Sequence, residues 1–142
     1  MNLIEKLLPQ VRAAGKTIVL PEGMDPRVIA AAVKARTQGV AKLIVLGTPA
    51  EIAEAEKQAG VKLDGIEVID YTTAPLGEEL AALFFEKRKS KGMTAEEALK
   101  TVRGKRIYFG AMMLASGKVD GLVAGSIAST GDMLRAAFQC VG

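Results

Sequence analysis

Apolar residues along this chain alternate between two rhythms, one helical and one of short continuous runs. Leu3, Ile4, Leu7, Leu8 and Val11 fall on one helical face and predict an opening helix that Gly15 ends. Thr17 to Leu20 is a compact apolar run and predicts a strand. Asp25 and Pro26 then open a helix as cap and first-turn proline, with Val28, Ile29, Ala32 and Val33 on its buried side and Gly39 at its stop. Leu43 to Leu46 predicts a second strand, and Thr48 with Glu51 has the spacing of a capping box at the next helix start. Ile66 to Ile69 predicts a third strand. Leu76, Leu80, Leu83 and Phe84 line a helix that runs into Lys87-Arg88-Lys89-Ser90-Lys91 and breaks at Gly92. Thr94 and Glu97 cap the following helix, and Ile107 to Ala115 is apolar nearly all round, as in a helix buried on most sides.

The stretch from Lys118 to Arg135 organises the rest. Val119 to Val123 predicts a buried strand, Ala124 to Gly131 a loop of small and hydroxyl residues, and Ser129 or Thr130 the cap of a last helix. Ser129 and Asp132 have the spacing at which side chain and backbone amide satisfy each other. Such a strand-loop-helix turn leaves unpaired backbone N–H groups aimed at one spot, where the helix dipole favours an anion. Arg135, one turn into the helix, adds a positive charge. The same spacing also fits an ordinary capped βα turn, and both readings stand at this point. Strands alternating with helices predict an α/β fold, a three-layer α/β/α domain with a mainly parallel sheet, residues 1–142 forming one domain. Ligands in such folds sit beyond the carboxyl ends of the strands, so the loops after Leu20, Leu46, Ile69 and Val123 are the places to look. On the first of these, Glu22, Asp25 and Arg27 read as helix capping and a solvated loop.

Composition narrows the chemistry. A net charge of +3 permits an anionic ligand, but scarce aromatics and no Trp argue against a nucleic-acid surface. The absence of histidine removes the usual general base and any Cys/His zinc cluster, so no metal site is expected. One cysteine, Cys140, excludes an internal disulfide, fits a reducing cytoplasm and reads as a small core residue. The charged residues among the first leucines speak against a signal peptide, and the longest uncharged run, Ile107 to Gly117, is too short to cross a bilayer. The basic run Lys87 to Lys91 fits either a solvated helix end or a patch for phosphates, and Arg103, Lys105 and Arg106 form a weaker cluster with the same two readings.

Taken together, these stretches resemble the phosphate acetyltransferase (phosphotransacetylase) family. The resemblance lies in Val19-Leu20-Pro21-Glu22-Gly23 with Asp25 and Arg27, in Lys87-Arg88-Lys89-Ser90-Lys91-Gly92-Met93-Thr94, and in Tyr108-Phe109-Gly110-Ala111-Met112-Met113. It continues in Asp120-Gly121-Leu122-Val123-Ala124-Gly125 and ends in Ser129-Thr130-Gly131-Asp132-Met133-Leu134-Arg135. Each motif is weak alone; their order and spacing along the whole chain make the match specific. Where this chain has Ala128 the family often has histidine, and where it has Ala136 many members have proline.

The resemblance implies reversible acyl transfer between acetyl phosphate and the thiol of coenzyme A, with coenzyme A or acetyl-coenzyme A as substrate and no covalently bound cofactor. It implies coenzyme A, acetyl phosphate and inorganic phosphate as partners, and a homodimer in the full-length enzyme. By motif, the two arginines that meet the phosphates of coenzyme A fall on Arg88 and Arg135. Ser129, Thr130, Gly125 and Ser126 fall where an acyl phosphate or inorganic phosphate is held. The family's catalytic aspartate and its partners belong to a later motif in longer chains, so this chain is expected to be an N-terminal domain lacking the second domain, without a catalytic residue of its own and inactive alone. Phosphate butyryltransferase, or a non-catalytic phosphate-binding or assembly domain, are the alternatives.

Overall fold

Four short apolar runs become strands, and all of them run the same way. The structure, a computed structural model, describes residues 3–141 apart from the side chains of residues 4–6, 8 and 11. Strands β1 (Thr17–Leu20), β2 (Lys42–Leu46), β3 (Glu67–Ile69) and β4 (Gly121–Leu122) form one parallel sheet in the order β3-β2-β1-β4. The chain therefore starts its sheet in the middle, builds outward to β3 and returns to the other side of β1. Around the sheet lie α1 (Leu3–Ala14), α2 (Pro26–Gln38), α3 (Pro49–Ala59), α4 (Leu76–Arg88), α5 (Ala95–Gly104), α6 (Arg106–Ala115) and α7 (Thr130–Cys140).

The two faces of the sheet bury separate apolar sets. On one side Ile29 and Ala32 of α2, with Ile52 and Ala55 of α3, close over Leu43 and Val45. On the other, Leu80 and Phe84 of α4, Ala98 and Val102 of α5, Phe109 to Met113 of α6, and Ala136 and Cys140 of α7 cover Val19, Ile44 and Leu46. This gives the expected three layers. Alternating residues of β1 and β2 point to opposite faces, which is why both sides of these runs had to be apolar. Helix α6 is buried along Tyr108 to Met113, as its all-round apolar pattern required.

Details depart from the sequence pattern in instructive ways. The fourth strand is confined to two residues, where Val119 to Val123 was expected. Asp120 N–H and Val123 N–H still bond to the Thr17 and Val19 carbonyls at 2.8 and 3.1 Å, but Val123 has already turned outward, 61% exposed. Leu83 of α4 also faces outward, because Leu80, Ala81 and Phe84 already fill that helix's contact with the core. In α1, Leu3 and Leu7 are exposed; Ile4, Leu8 and Val11, on which the amphipathic reading also rests, lie outside the described side chains. The basic run splits, with α4 ending at Arg88 and a single 3-10 turn, Lys89–Lys91, leading to Gly92. Among the described residues no helix is long and apolar enough to cross a membrane.

Candidate ligand-binding cleft

Two loops leave the carboxyl edge at neighbouring strands, one after β1 and one after β4. Adjacent parallel strands bring these loops side by side although about a hundred residues separate them in the chain. Pro21 ends β1. Gly23 then passes so close to β2 that its N–H bonds to the Leu46 carbonyl at 3.0 Å, and a Cβ there would collide with that oxygen and with Ile52. The tight pass turns Glu22 back into the protein, where it is only 2% exposed.

The carboxylate of Glu22 is seated in the loop after β4. Gly125 and Ser126 donate their backbone N–H groups to Oε1 at 2.6 and 3.0 Å. Ile127 and Ala128 donate theirs to Oε2 at 2.7 and 2.8 Å. Gly125, at φ 111°, supplies the left-handed turn that lets consecutive amides converge in this way. Burial is the largest single influence on the Glu22 carboxyl and pushes its pKa up, but the four amides together outweigh it and leave the group below its ordinary value. The magnitudes agree: charge-assisted bonds contribute roughly 1.5–3 kcal/mol each, against an effective burial penalty on the order of several kcal/mol per ion.

This arrangement corrects the sequence reading twice. The amides of Gly125 and Ser126 are not unpaired and aimed at an incoming anion; a carboxylate of the chain already holds them. Glu22, read as part of a solvated loop, is buried and bonded across the sheet edge. The capping part of that reading holds for Asp25, which accepts the Arg27 N–H at 2.9 Å and caps α2. Arg27 also forks onto both Asp25 oxygens and donates to the Ser126 carbonyl at 3.0 Å. The Arg27 hydrogen bond holds the Asp25 carboxyl down at about 2.

Beyond these loops opens a cleft of about 380 Å³. Its walls include Glu22 and Met24 from the first loop, Ile127, Ala128, Asp132 and Arg135 from the second, and Gly104 to Tyr108 from the junction of α5 and α6. Lys105, Arg106 and Arg135 thus face one space, and the start of α6 carries no side-chain cap. Uncapped first-turn amides and three cations make the cleft favourable for negative charge. Arg106 is anchored from behind, donating to Glu51 at 2.6 Å and to the Tyr71 hydroxyl at 2.9 Å. Ser129 caps α7 by accepting the Asp132 N–H at 3.1 Å, as its spacing predicted, and Thr130 is the first helical residue. The Asp132 carboxylate does not complete a reciprocal cap; it pairs with Arg135 at 2.9 Å.

Arg135 lines the cleft, whereas Arg88 does not. Arg88 is half-buried at the end of α4, and its Nε is buried without a partner among the described residues. The two arginines meet electrostatically at Tyr108, where burial and Cys140 raise the hydroxyl's pKa and both guanidinium groups oppose that rise. Cys140 is fully buried, and desolvation pushes its thiol up to about 12, so it is a core residue and no nucleophile. Lys105, Arg106, Tyr108 and Glu22 are the cleft residues that spacing alone undervalued.

Fold and cleft define a class: a parallel α/β domain that opens a cation-lined cleft beyond the carboxyl edge of its sheet. The sequence profile of the phosphate acetyl/butaryl transferase family matches residues 2–142, and the chain belongs to that family. It is 40% identical over 141 residues to the phosphate acetyltransferase of Thermoanaerobacterium thermosaccharolyticum, covering 99% of this chain and 42% of the relative. It is 39% identical over 140 residues to that of Acetivibrio thermocellus, covering 98% and 41%. Among solved structures, the EutD phosphotransacetylase from Staphylococcus aureus superposes with a TM-score of 0.86 at 35% identity, over 99% of this chain and 43% of that one. A phosphotransacetylase from Streptococcus pyogenes gives a TM-score of 0.84 at 32% identity. The chain thus spans about two fifths of the length of the relatives it matches.

Proposed function

We propose that this chain is the coenzyme-binding part of a phosphate acetyltransferase, which interconverts acetyl-coenzyme A plus phosphate with acetyl phosphate plus coenzyme A. The observation that carries the reading is the convergence of Lys105, Arg106 and Arg135 on one cleft in a member of this family. Coenzyme A bears a pyrophosphate and a 3′-phosphate, and arginines hold such groups by paired, charge-assisted bonds. Arg88, outside the cleft wall, adds positive potential at Tyr108. Ser129 and Thr130, exposed at the start of α7, offer hydroxyl donors to a phosphate. Gly125 and Ser126 serve by shaping the loop that carries them. An acetyl substrate is favoured over butyryl because the matched relatives cited above are phosphate acetyltransferases. A homodimer in the cytoplasm belongs to the same reading.

In the reaction a base takes the thiol proton, the thiolate attacks the acetyl carbonyl, and the carbon–oxygen bond to phosphate breaks as phosphate leaves. The cleft cations neutralise charge on that phosphate. Of the carboxylates lining the cleft, Glu22 is held by four amides and Asp132 sits in an exposed pair with Arg135, so neither is proposed as the base. The chain alone is therefore expected to bind coenzyme A without turning it over. The test is binding of coenzyme A and of ATP at matched ionic strength, alongside phosphate-dependent thiol release from acetyl-coenzyme A. Preference for coenzyme A with no release is the expected result. Equal binding of ATP would leave only a general polyphosphate site, and rapid thiol release would place a base within these residues.

A further inference from the structure

The loop that leads into α7, and so to Ser129, Thr130 and Arg135, has little of its own to hold it. Gly125 to Ile127 are exposed, Ile127 at 57%, and the one polar side chain among them, that of Ser126, turns to Asp25 of the neighbouring loop. The anchors come from the neighbouring loop: Glu22 takes four consecutive amides, and Arg27 takes the Ser126 carbonyl. Each carboxylate oxygen receives two N–H donors, the arrangement in which a loop seats an oxyanion. Glu22 also borders two spaces. One is the cation-lined cleft, and the other is a hollow of about 240 Å³ lined by Arg27, Val123 and Ser126.

We propose that Glu22 is a positioning residue for the cleft: its carboxylate fills, from inside the protein, the oxyanion seat of the β4–α7 loop and so fixes where Ser129, Thr130 and Arg135 stand. Two consequences follow. The loop amides are taken, so a phosphate entering the cleft is bound by side chains and by the open start of α6. Emptying the seat also creates a site for a small carboxylate, reachable from the two spaces that Glu22 borders. The proposal rests on the coenzyme-binding reading only for its affinity measurement.

The experiment uses Glu22→Ala and Glu22→Gln in the same chain, followed by amide NMR at Gly125, Ser126, Ile127 and Ala128 with formate titrated in, and by calorimetry with coenzyme A. Glu22→Ala is expected to move these four amide resonances and speed their hydrogen exchange, while resonances from the rest of the sheet stay in place. Formate should return them toward their original positions, and coenzyme A affinity should fall by about tenfold and recover with formate. Glu22→Gln keeps the seat filled with a group that accepts at only one end, so it should disturb the same amides without rescue by formate. A merely structural glutamate would give no rescue specific to the shortened side chain. Unmoved amides in Glu22→Gln, or a folded Glu22→Ala that formate leaves unchanged, would overturn the proposal. Should Glu22→Ala fail to fold, the Glu22→Gln spectrum alone decides. If the parent chain binds no coenzyme A, the functional reading falls while the NMR result still judges Glu22.

Discussion

The loops after β1 and β4 do the same topological job by opposite means. Each leaves the carboxyl edge of the sheet and ends in a capped helix, Asp25 capping α2 and Ser129 capping α7. The first is buried at Pro21, Glu22, Gly23 and Asp25 and brings two carboxylates. The second is mostly exposed and brings backbone amides and small side chains. Their difference shows where the order of an exposed loop comes from. The β1 loop is fixed by close packing against β2, and it passes that order on through Glu22 and Arg27. The cleft is then left with charges on side chains, Lys105, Arg106 and Arg135, and with the amides of the second loop already satisfied.

The strongest way to break this comparison is to displace the rigid loop. Gly23→Ala would drive a Cβ into the Leu46 carbonyl oxygen and to 2.8 Å from both Ile52 and Val45. A loss of about 3 kcal/mol is expected, read from denaturant unfolding, because a backbone oxygen cannot move aside as a side chain does. A change below about 0.5 kcal/mol would mean that the first loop is not held as described.

Acid should separate the two loops by a smaller effect. Glu22 and Asp25 both have folded-state pKa values below their ordinary ones, Asp25 at about 2. A depressed carboxyl contributes stability that is fully present above its unfolded pKa and is lost as pH falls through its folded pKa. Thermal stability should therefore hold down to about pH 5 and decline from there toward about pH 2. In Glu22→Gln the upper part of that decline should flatten, leaving the portion due to Asp25 and to Asp70, whose carboxyl is held low by the Thr72 hydroxyl. An unchanged profile in the variant would remove Glu22 from the account.

The smallest expected effect is at the second cap. Ser129→Ala removes the acceptor for the Asp132 N–H at an exposed helix start, with an expected cost of about 1 kcal/mol. Asp25→Ala, at a buried cap that also holds Arg27, should cost more. Equal costs would erase the contrast between an inner and an outer loop.

Much of this fold was legible because local chemistry and tertiary position agree. Thr48 and Glu51, Asp25 and Pro26, Thr94 and Ser129 each cap the helix their spacing announced. The apolar runs became strands, and the all-round apolar stretch became the buried α6. The placement of β4 beside β1 was not legible, since it follows from the path of α4, α5 and α6 after β3 and not from any nearby residue. That pairing brings Glu22 to Gly125–Ala128, so the role of Glu22 was hidden with it. An acidic residue between Pro21 and Gly23, at a strand's carboxyl end, was the available signal, and helix capping accounted for it too readily. Lys105 and Arg106 were legible only in part: with Arg103 they fit either a solvated helix end or a patch for phosphates, and their place on the cleft wall follows from where α6 begins. The pair Arg88 and Arg135 was named by resemblance, and of the two only Arg135 lines the cleft.

The most direct measurement is calorimetric binding of coenzyme A to this chain and to its Arg135→Ala variant, with both melting temperatures recorded. Arg135 is 58% exposed and its pairing is with Asp132 within the same helix, so its removal should leave the melting temperature nearly unchanged. Coenzyme A affinity should fall by about tenfold as one charge-assisted phosphate contact is lost. Equal affinity in parent and variant, with both folded, would contradict a cleft that binds its ligand through side-chain cations.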